Sequence, residues 1–110
     1  MENISFNDFS KVELRVAKII ACEPVEGSGK LYKVKIRIGS EERTLASGLA
    51  KYYAPDELLG KKIIVVANLE PKVLKGIESR GMLLAAEDDE GKLALVTLDN
   101  DEVKDGAAVH

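Results

Sequence analysis

Apolar and polar residues alternate along most of the chain with the two-residue period of β-strands. Residues 12–23 (VELRVAKIIACE) open the pattern. Val12, Leu14 and Val16 alternate with Glu13, Arg15 and Ala17, then the alternation slips at Lys18-Ile19-Ile20. A bulge near Ala17 and Lys18 would account for the slip. Residues 31–38 alternate without a break: Tyr32, Val34, Ile36 and Ile38 face inward, and Lys33, Lys35 and Arg37 form one exposed stripe. Gly39-Ser40 turns the chain into a third strand, Glu42–Ser47. The period then changes. Pro55-Asp56-Glu57 is a helix start, Leu58 and Leu59 supply its apolar side, and Gly60 ends it. Ile63–Ala67 reads as a buried strand and Asn68–Ser79 as a long polar loop. Two more strands, 81–86 and 92–98, flank the turn Asp88-Asp89-Glu90-Gly91. The tail has few apolar residues and is expected to wrap along the surface.

This order predicts an all-β fold: a five-stranded Greek-key barrel of the OB type, with a short helix between strands three and four and a C-terminal extension. Short strands with turn punctuation also suit an SH3-like barrel or a sandwich, but the helix position favours the OB arrangement. The chain has 110 residues, 45% of them hydrophobic and 32% charged, enough to bury the core of one domain covering residues 1–110. No apolar run approaches the roughly 20 residues of a membrane helix. No basic-then-apolar leader is seen, and one cysteine, Cys22, cannot form an internal disulfide. A cytoplasmic location away from membranes is expected.

Charge sharpens the reading. The net charge is −3, but residues 1–80 carry 14 basic and 11 acidic side chains, whereas residues 81–110 carry 2 and 8. The acidic end masks a mildly basic front section, which either solvates a surface or forms a basic face. OB barrels bind ligands on the face of strands two and three and in the loops after strands one and four. Those loops are Glu23–Gly29 and Asn68–Arg80, so Lys30, Lys72, Lys75 and Arg80 would join Lys33, Lys35 and Arg37 on one surface.

Catalytic chemistry is sparse. The single histidine is the last residue, His110, which leaves no Ser/His or Cys/His pair. One cysteine and one histidine make no zinc site. Cys22 reads as a small buried hydrophobe. The acidic pairs Glu41-Glu42 and Asp88-Asp89 lie in turns, where neighbouring side chains diverge. Gly27-Ser28-Gly29-Lys30 resembles a phosphate loop but fails its pattern, with Pro24 where the first glycine belongs and Leu31 after the lysine. The segment can still present Lys30 to a phosphate. No catalytic residue, metal ligand or cofactor is expected. Five aromatic residues offer little stacking surface, so a folded RNA read by shape suits the chain better than an unstructured strand. Tyr32 is expected inside the barrel. Phe6 and Phe9 should cap the barrel or pack on a partner.

Six segments in order carry a family signature: Phe9–Ile19 (FSKVELRVAKI), Val25–Leu31 (VEGSGKL), Ser47-Gly48-Leu49, Tyr53–Leu58 (YAPDEL), Val66–Leu69 (VANL) and Gly76–Met82 (GIESRGM). Together they resemble the tRNA-binding domain family, which includes the C-terminal domain or separate beta subunit of methionyl-tRNA synthetases, free-standing tRNA-binding proteins and secretion-chaperone-like proteins. The resemblance implies an OB barrel that binds tRNA by shape and backbone. By motif position, Lys30, Asn68, Ser79 and Met82 match residues tied to RNA binding; Lys72 and Arg80 lie in the same loop. Gly29 departs from the acidic residue common before the lysine, and Arg80 from a more usual polar residue. The same residues could serve structure instead: Asn68 in a loop, Ser79 in a turn, Met82 in the core. The resemblance further implies a homodimer, with Phe6–Phe9 and the stretch from Leu93 to Val109 as candidate interface, and a methionyl-tRNA synthetase catalytic subunit as a possible partner. Binding is expected near micromolar affinity, on the order of 1 μM. A chaperone-like peptide binder is the rival reading; it would need an exposed apolar groove. A lone histidine at the last position and the lack of a metal-ligand cluster argue against a small enzyme.

Overall fold

The structure, a computed structural model, describes residues 1–110. In chain order the elements are α1 (Phe6–Phe9), β1 (Leu14–Pro24), β2 (Tyr32–Ile38), β3 (Glu41–Ser47), α2 (Pro55–Leu58), β4 (Lys62–Val66), β5 (Lys72–Leu74), β6 (Ile77–Ser79), β7 (Met82–Leu83), β8 (Ala85–Glu87), β9 (Leu93–Leu95) and β10 (Ala108–Val109). The main sheet is antiparallel and curled, ordered β3-β2-β1-β4-β7, with β10 added alongside β1. The crossing from β3 to β4 through α2 supplies the helix expected between strands three and four. The fold is the all-β barrel of OB type that the element order implies.

β1 organises the barrel because it is long enough to pair three ways. Its first half, Leu14–Lys18, pairs with β4; its second half, Lys18–Pro24, pairs with β2; Leu14 and Arg15 also pair with β10. The register slips between Ile19 and Ala21, so the irregular residue is Ile20 and not the Ala17-Lys18 step suggested by the alternation. Val16 and Ala17 are both buried because both faces of β1 are covered there. Ala17 belongs to the barrel core, while the backbone of Val16 is bonded on both sides by the C-terminal strap, at Ala107 O and Gly106 N.

The core holds Ala17, Ile19, Val34, Ile36, Leu45, Leu58, Ile63 and Val65 among its fully buried members. Burying aliphatic side chains of this size stabilises the fold by roughly 1.5–3 kcal/mol each before entropy is counted. Tyr32 is buried as expected, and its hydroxyl donates to Tyr53 O at 2.6 Å. Tyr53 in turn accepts from Leu95 N, which ties the approach to α2 onto β9. Cys22 is half-buried beside the core, and its thiol pKa is raised by burial first and by Glu23 second.

Several expectations are corrected. α2 buries Leu58 only; Leu59 follows the helix with extended backbone and is exposed. The 81–86 segment is two short strands, β7 and β8, because the chain changes partners at Leu84: its N–H still bonds Ile64 O in line with the β4 pairing, while its carbonyl accepts from Val96 N at the start of the β9 pairing. The 92–98 segment forms β9 and a single bridge from Thr97 to Ile63. The tail does not simply lie on the surface: its end pairs with β1, and Asp105 is pinned by the Arg37 guanidinium and by Gly39 N. Phe6 does not cap the barrel. It sits on α1, which buries no residue and is started by Ser5 accepting from Asp8 N.

Candidate nucleic-acid interface

The stretch read as a polar loop, Asn68–Ser79, contains a hairpin of β5 and β6. Val73-Leu74 and Ile77 flank Lys75-Gly76, and both turn residues have positive φ, 50° and 79°. That is the backbone of a two-residue hairpin turn, in which glycine at the second position relieves the strain. The turn sets Lys75 at the hairpin tip.

The hairpin is held against β3. Arg80 N donates to Thr44 O at 3.0 Å, and Ala46 N donates to Ser79 Oγ at 3.1 Å. Ser79 Oγ also donates to Gly81 O, and the residue is buried. At Gly81 a Cβ would meet Val66 O at 3.0 Å with φ at +130°, so only glycine fits the sharp exit from β6. Arg43, a residue the sequence did not single out, reaches from β3 to donate to the carbonyls of Ala67 and Arg80. Its guanidinium also bonds Glu41 and holds that carboxyl below its usual range. Asn68 anchors the other end of the arm: Oδ1 accepts from Glu13 N at 2.9 Å, and Nδ2 donates to Lys11 O at 2.6 Å.

The proposed cations separate into two groups. On the exposed stripe of β2 each has an acidic partner: Lys33 with Glu23 at 3.9 Å, Lys35 with Glu42 at 3.2 Å, and Arg37 with Asp105 at 3.1 Å. Exposed pairs of this kind are worth little and exchange partners readily, so Lys33 and Lys35 remain available to a phosphate. Arg37 is committed to the strap, and its side-chain hydrogen bond with Asp105, more than charge attraction, raises its pKa and lowers that of Asp105. Lys30, Lys72, Lys75 and Arg80 make no ion pair. Lys30 and Lys75 converge with Lys51 and the Gly27–Gly29 loop on one concavity of about 280 Å³, which no carboxylate lines. Lys51 carries no local sequence signal. It arrives because Ala50 N bonds Lys30 O at 3.1 Å, a tertiary contact.

Two further grooves flank the hairpin. One, of about 420 Å³, is polar and cationic, with Lys33, Lys35, Arg43 and Arg80 against Glu42 and Glu78. The other, of about 570 Å³, is mainly apolar, floored by Leu69, Leu74 and Met82 with Lys72 and Glu70 beside them. Met82 is thus on the surface and not in the core, at 51% exposure. The hairpin therefore brings Lys30, Lys72, Lys75, Arg80 and Met82 to one region, with Lys33 and Lys35 adjoining. Asn68 and Ser79 are spent on backbone bonds within it. No helix is long and apolar enough to cross a membrane, and no three His, Cys, Asp or Glu side chains gather as metal ligands.

A curled OB-type barrel with lysines on its loops belongs to a fold class that holds ligands on its strand face and loops. Residues 14–108 match the family described as "Putative tRNA binding domain", and the chain belongs to that family. It is 57% identical over 101 residues to a methionine–tRNA ligase of Caldanaerobacter subterraneus, covering 92% of this chain and 16% of the ligase. It is 56% identical over 109 residues to the Pyrococcus horikoshii methionine–tRNA ligase, covering 99% of this chain and 15% of the ligase. The chain thus spans about a sixth of the length of these relatives. Its fold is similar to a methionyl-tRNA-synthetase-related protein from Pyrococcus horikoshii, with a TM-score of 0.94 and 40% identity over the whole of both chains. It is also similar to a CsaA chaperone protein from Picrophilus torridus, with a TM-score of 0.88 and 32% identity over 98% of this chain and all of that one.

Proposed function

We propose that this chain binds tRNA through its overall shape and phosphate backbone, as an auxiliary module to methionyl-tRNA synthetase, without catalysing a reaction itself. The observation that carries the reading is the convergence of Lys30, Lys51 and Lys75 on a glycine loop free of carboxylates. Lys72 and Arg80, also unpaired, extend the cationic edge along the hairpin, and Lys33 and Lys35 continue it over the β2 face. Cations placed this way neutralise phosphates and release counterions, which makes binding fall with salt. Asn68, Ser79 and Arg43 act by holding the hairpin in place. Met82 meets the RNA from the neighbouring groove.

The module raises the local concentration of tRNA near a catalytic subunit, in the cytoplasm, and residues 1–110 work as one unit. Changing Lys30, Lys51 and Lys75 together to alanine should weaken tRNA binding about tenfold or more. It should also reduce the slope of log affinity against log salt by about two. An unchanged slope would remove these lysines from the interface.

A homodimer belongs to the same proposal. Met1, Ile4, Phe6, Phe9 and Val12 are exposed along an arm that nothing covers, and a two-fold partner would bury them. Sedimentation equilibrium should return twice the chain mass, and substituting Phe6 and Phe9 by serine should shift it to monomer. A wild-type monomer at high concentration contradicts this. The rival peptide-binding reading is favoured by the apolar groove of Leu69, Leu74 and Met82 and by the similarity to the Picrophilus chaperone.

A further inference from the structure

We infer that the groove floored by Leu69, Leu74 and Met82 takes an unstacked nucleobase of the bound RNA, so that recognition includes one base in addition to shape and phosphates; this rests on the tRNA reading above. The groove's chemistry suits a phosphate less well than the three-lysine concavity does. Glu70 lines it without any partner in the protein, and its carboxylate would repel an anion. Lys72 supplies one cation on the opposite count. Ser79 has no spare proton, because its hydroxyl already donates to Gly81 O while accepting from Ala46 N. What remains is an apolar floor with one carboxylate acceptor and one ammonium at its side. A nucleobase matches both parts: its faces are apolar, and amino or imino N–H groups on its edge donate to a carboxylate. The Met82 thioether is polarizable and packs well on an aromatic ring. A volume near 570 Å³ lies in the range of small-ligand sites, about 300–1,000 Å³.

Position favours a base over a peptide side chain. Two segments, residues 46–51 and the hairpin with its tip, wall both this groove and the three-lysine concavity: Ala46, Ser47, Gly48, Lys72 and Leu74 on one side, Lys51 and Lys75 on the other. An RNA strand whose phosphates lie among Lys30, Lys51 and Lys75 therefore has the groove next in line for a base turned out of its stack. An apolar peptide side chain would use the floor but give Glu70 and the lysines no partner.

The test uses the whole chain and a folded tRNA transcript. Leu69 and Met82 are 46% and 51% exposed, so replacing both by alanine leaves the buried core intact, which thermal unfolding verifies. The double variant should bind tRNA three- to tenfold more weakly with an unchanged salt slope, because no phosphate contact is lost. Chemical probing of Watson–Crick edges should show one unpaired base protected by wild type and left reactive with the double variant. Met82→Leu should retain the protection, and Glu70→Gln should weaken it. Wild-type affinity for the double variant with no unpaired base protected overturns the base pocket, while a continued loss in the lysine triple variant leaves the tRNA reading standing. Absence of tRNA binding by wild type, with an apolar peptide titrating the groove, overturns both.

Discussion

Individual side chains in this protein divide by whether their polar atoms are already spent. Asn68 and Ser79, for which the sequence resemblance implies a role in RNA binding, each direct their side chains to backbone groups of their own chain. Lys30, Lys51, Lys72, Lys75 and Arg80 make no ion pair within the chain. Sequence spacing picks out Lys30 and Lys75 as loop cations, but it has no means of joining them to Lys51, which depends on a contact between residues 30 and 50. Arg43 was equally hidden, since an arginine in a strand gives no sign that it will collect two loop carbonyls. Replacing Asn68 by alanine should cost about 1 kcal/mol of stability through its two lost hydrogen bonds. Urea unfolding measures this directly. The substitution should also weaken tRNA binding with little change in salt slope, because the arm loosens while the cations remain. A change in slope equal to one lost phosphate would instead make Asn68 a direct contact.

At the scale of elements, β2 was legible from its alternation, β4 from an unbroken apolar run and α2 from the Pro55-Asp56-Glu57 start. The hairpin β5–β6 was missed because three-residue strands carry too few positions to display alternation. Lys75-Gly76 between Leu74 and Ile77 was the one signal, and it is a turn signal. The C-terminal strap was missed for another reason: its order comes from partners on β1, β2 and β4 and not from its own apolar residues. Lys62 Nζ donates to the carbonyls of Asp101 and Val103, and Asp105 closes on Arg37 and Gly39 N. Hydrogen bonding from Arg37 chiefly depresses the Asp105 pKa below its unfolded value, near 3.9. A carboxyl depressed on folding contributes stability that is present above the unfolded pKa and is lost as pH falls through the folded one. Asp105→Asn should therefore be less stable than wild type at neutral pH, with the gap closing below about pH 4. Denaturant midpoints measured from pH 7 down to pH 3 check this. A gap that stays constant with pH would mean that the carboxylate contributes nothing through its charge.

For the molecule as a whole, net charge is a poor guide. The acidic total of −3 comes from residues 81–110, while the barrel front carries the excess of cations. The fold was legible because the element order is distinctive, and the family because six motifs occur in sequence. The grooves were not, since they form between β3, the hairpin and the β4–β5 connection, which only the folded chain brings together. A protein that holds a folded RNA by shape and phosphates should tell it from an unstructured strand. Titrating the protein with folded tRNA and with an unstructured RNA of equal length, at two salt concentrations, reads out that difference. Salt-sensitive binding that favours tRNA is the predicted result. Equal binding of both RNAs, or none by either up to high micromolar protein, would contradict it.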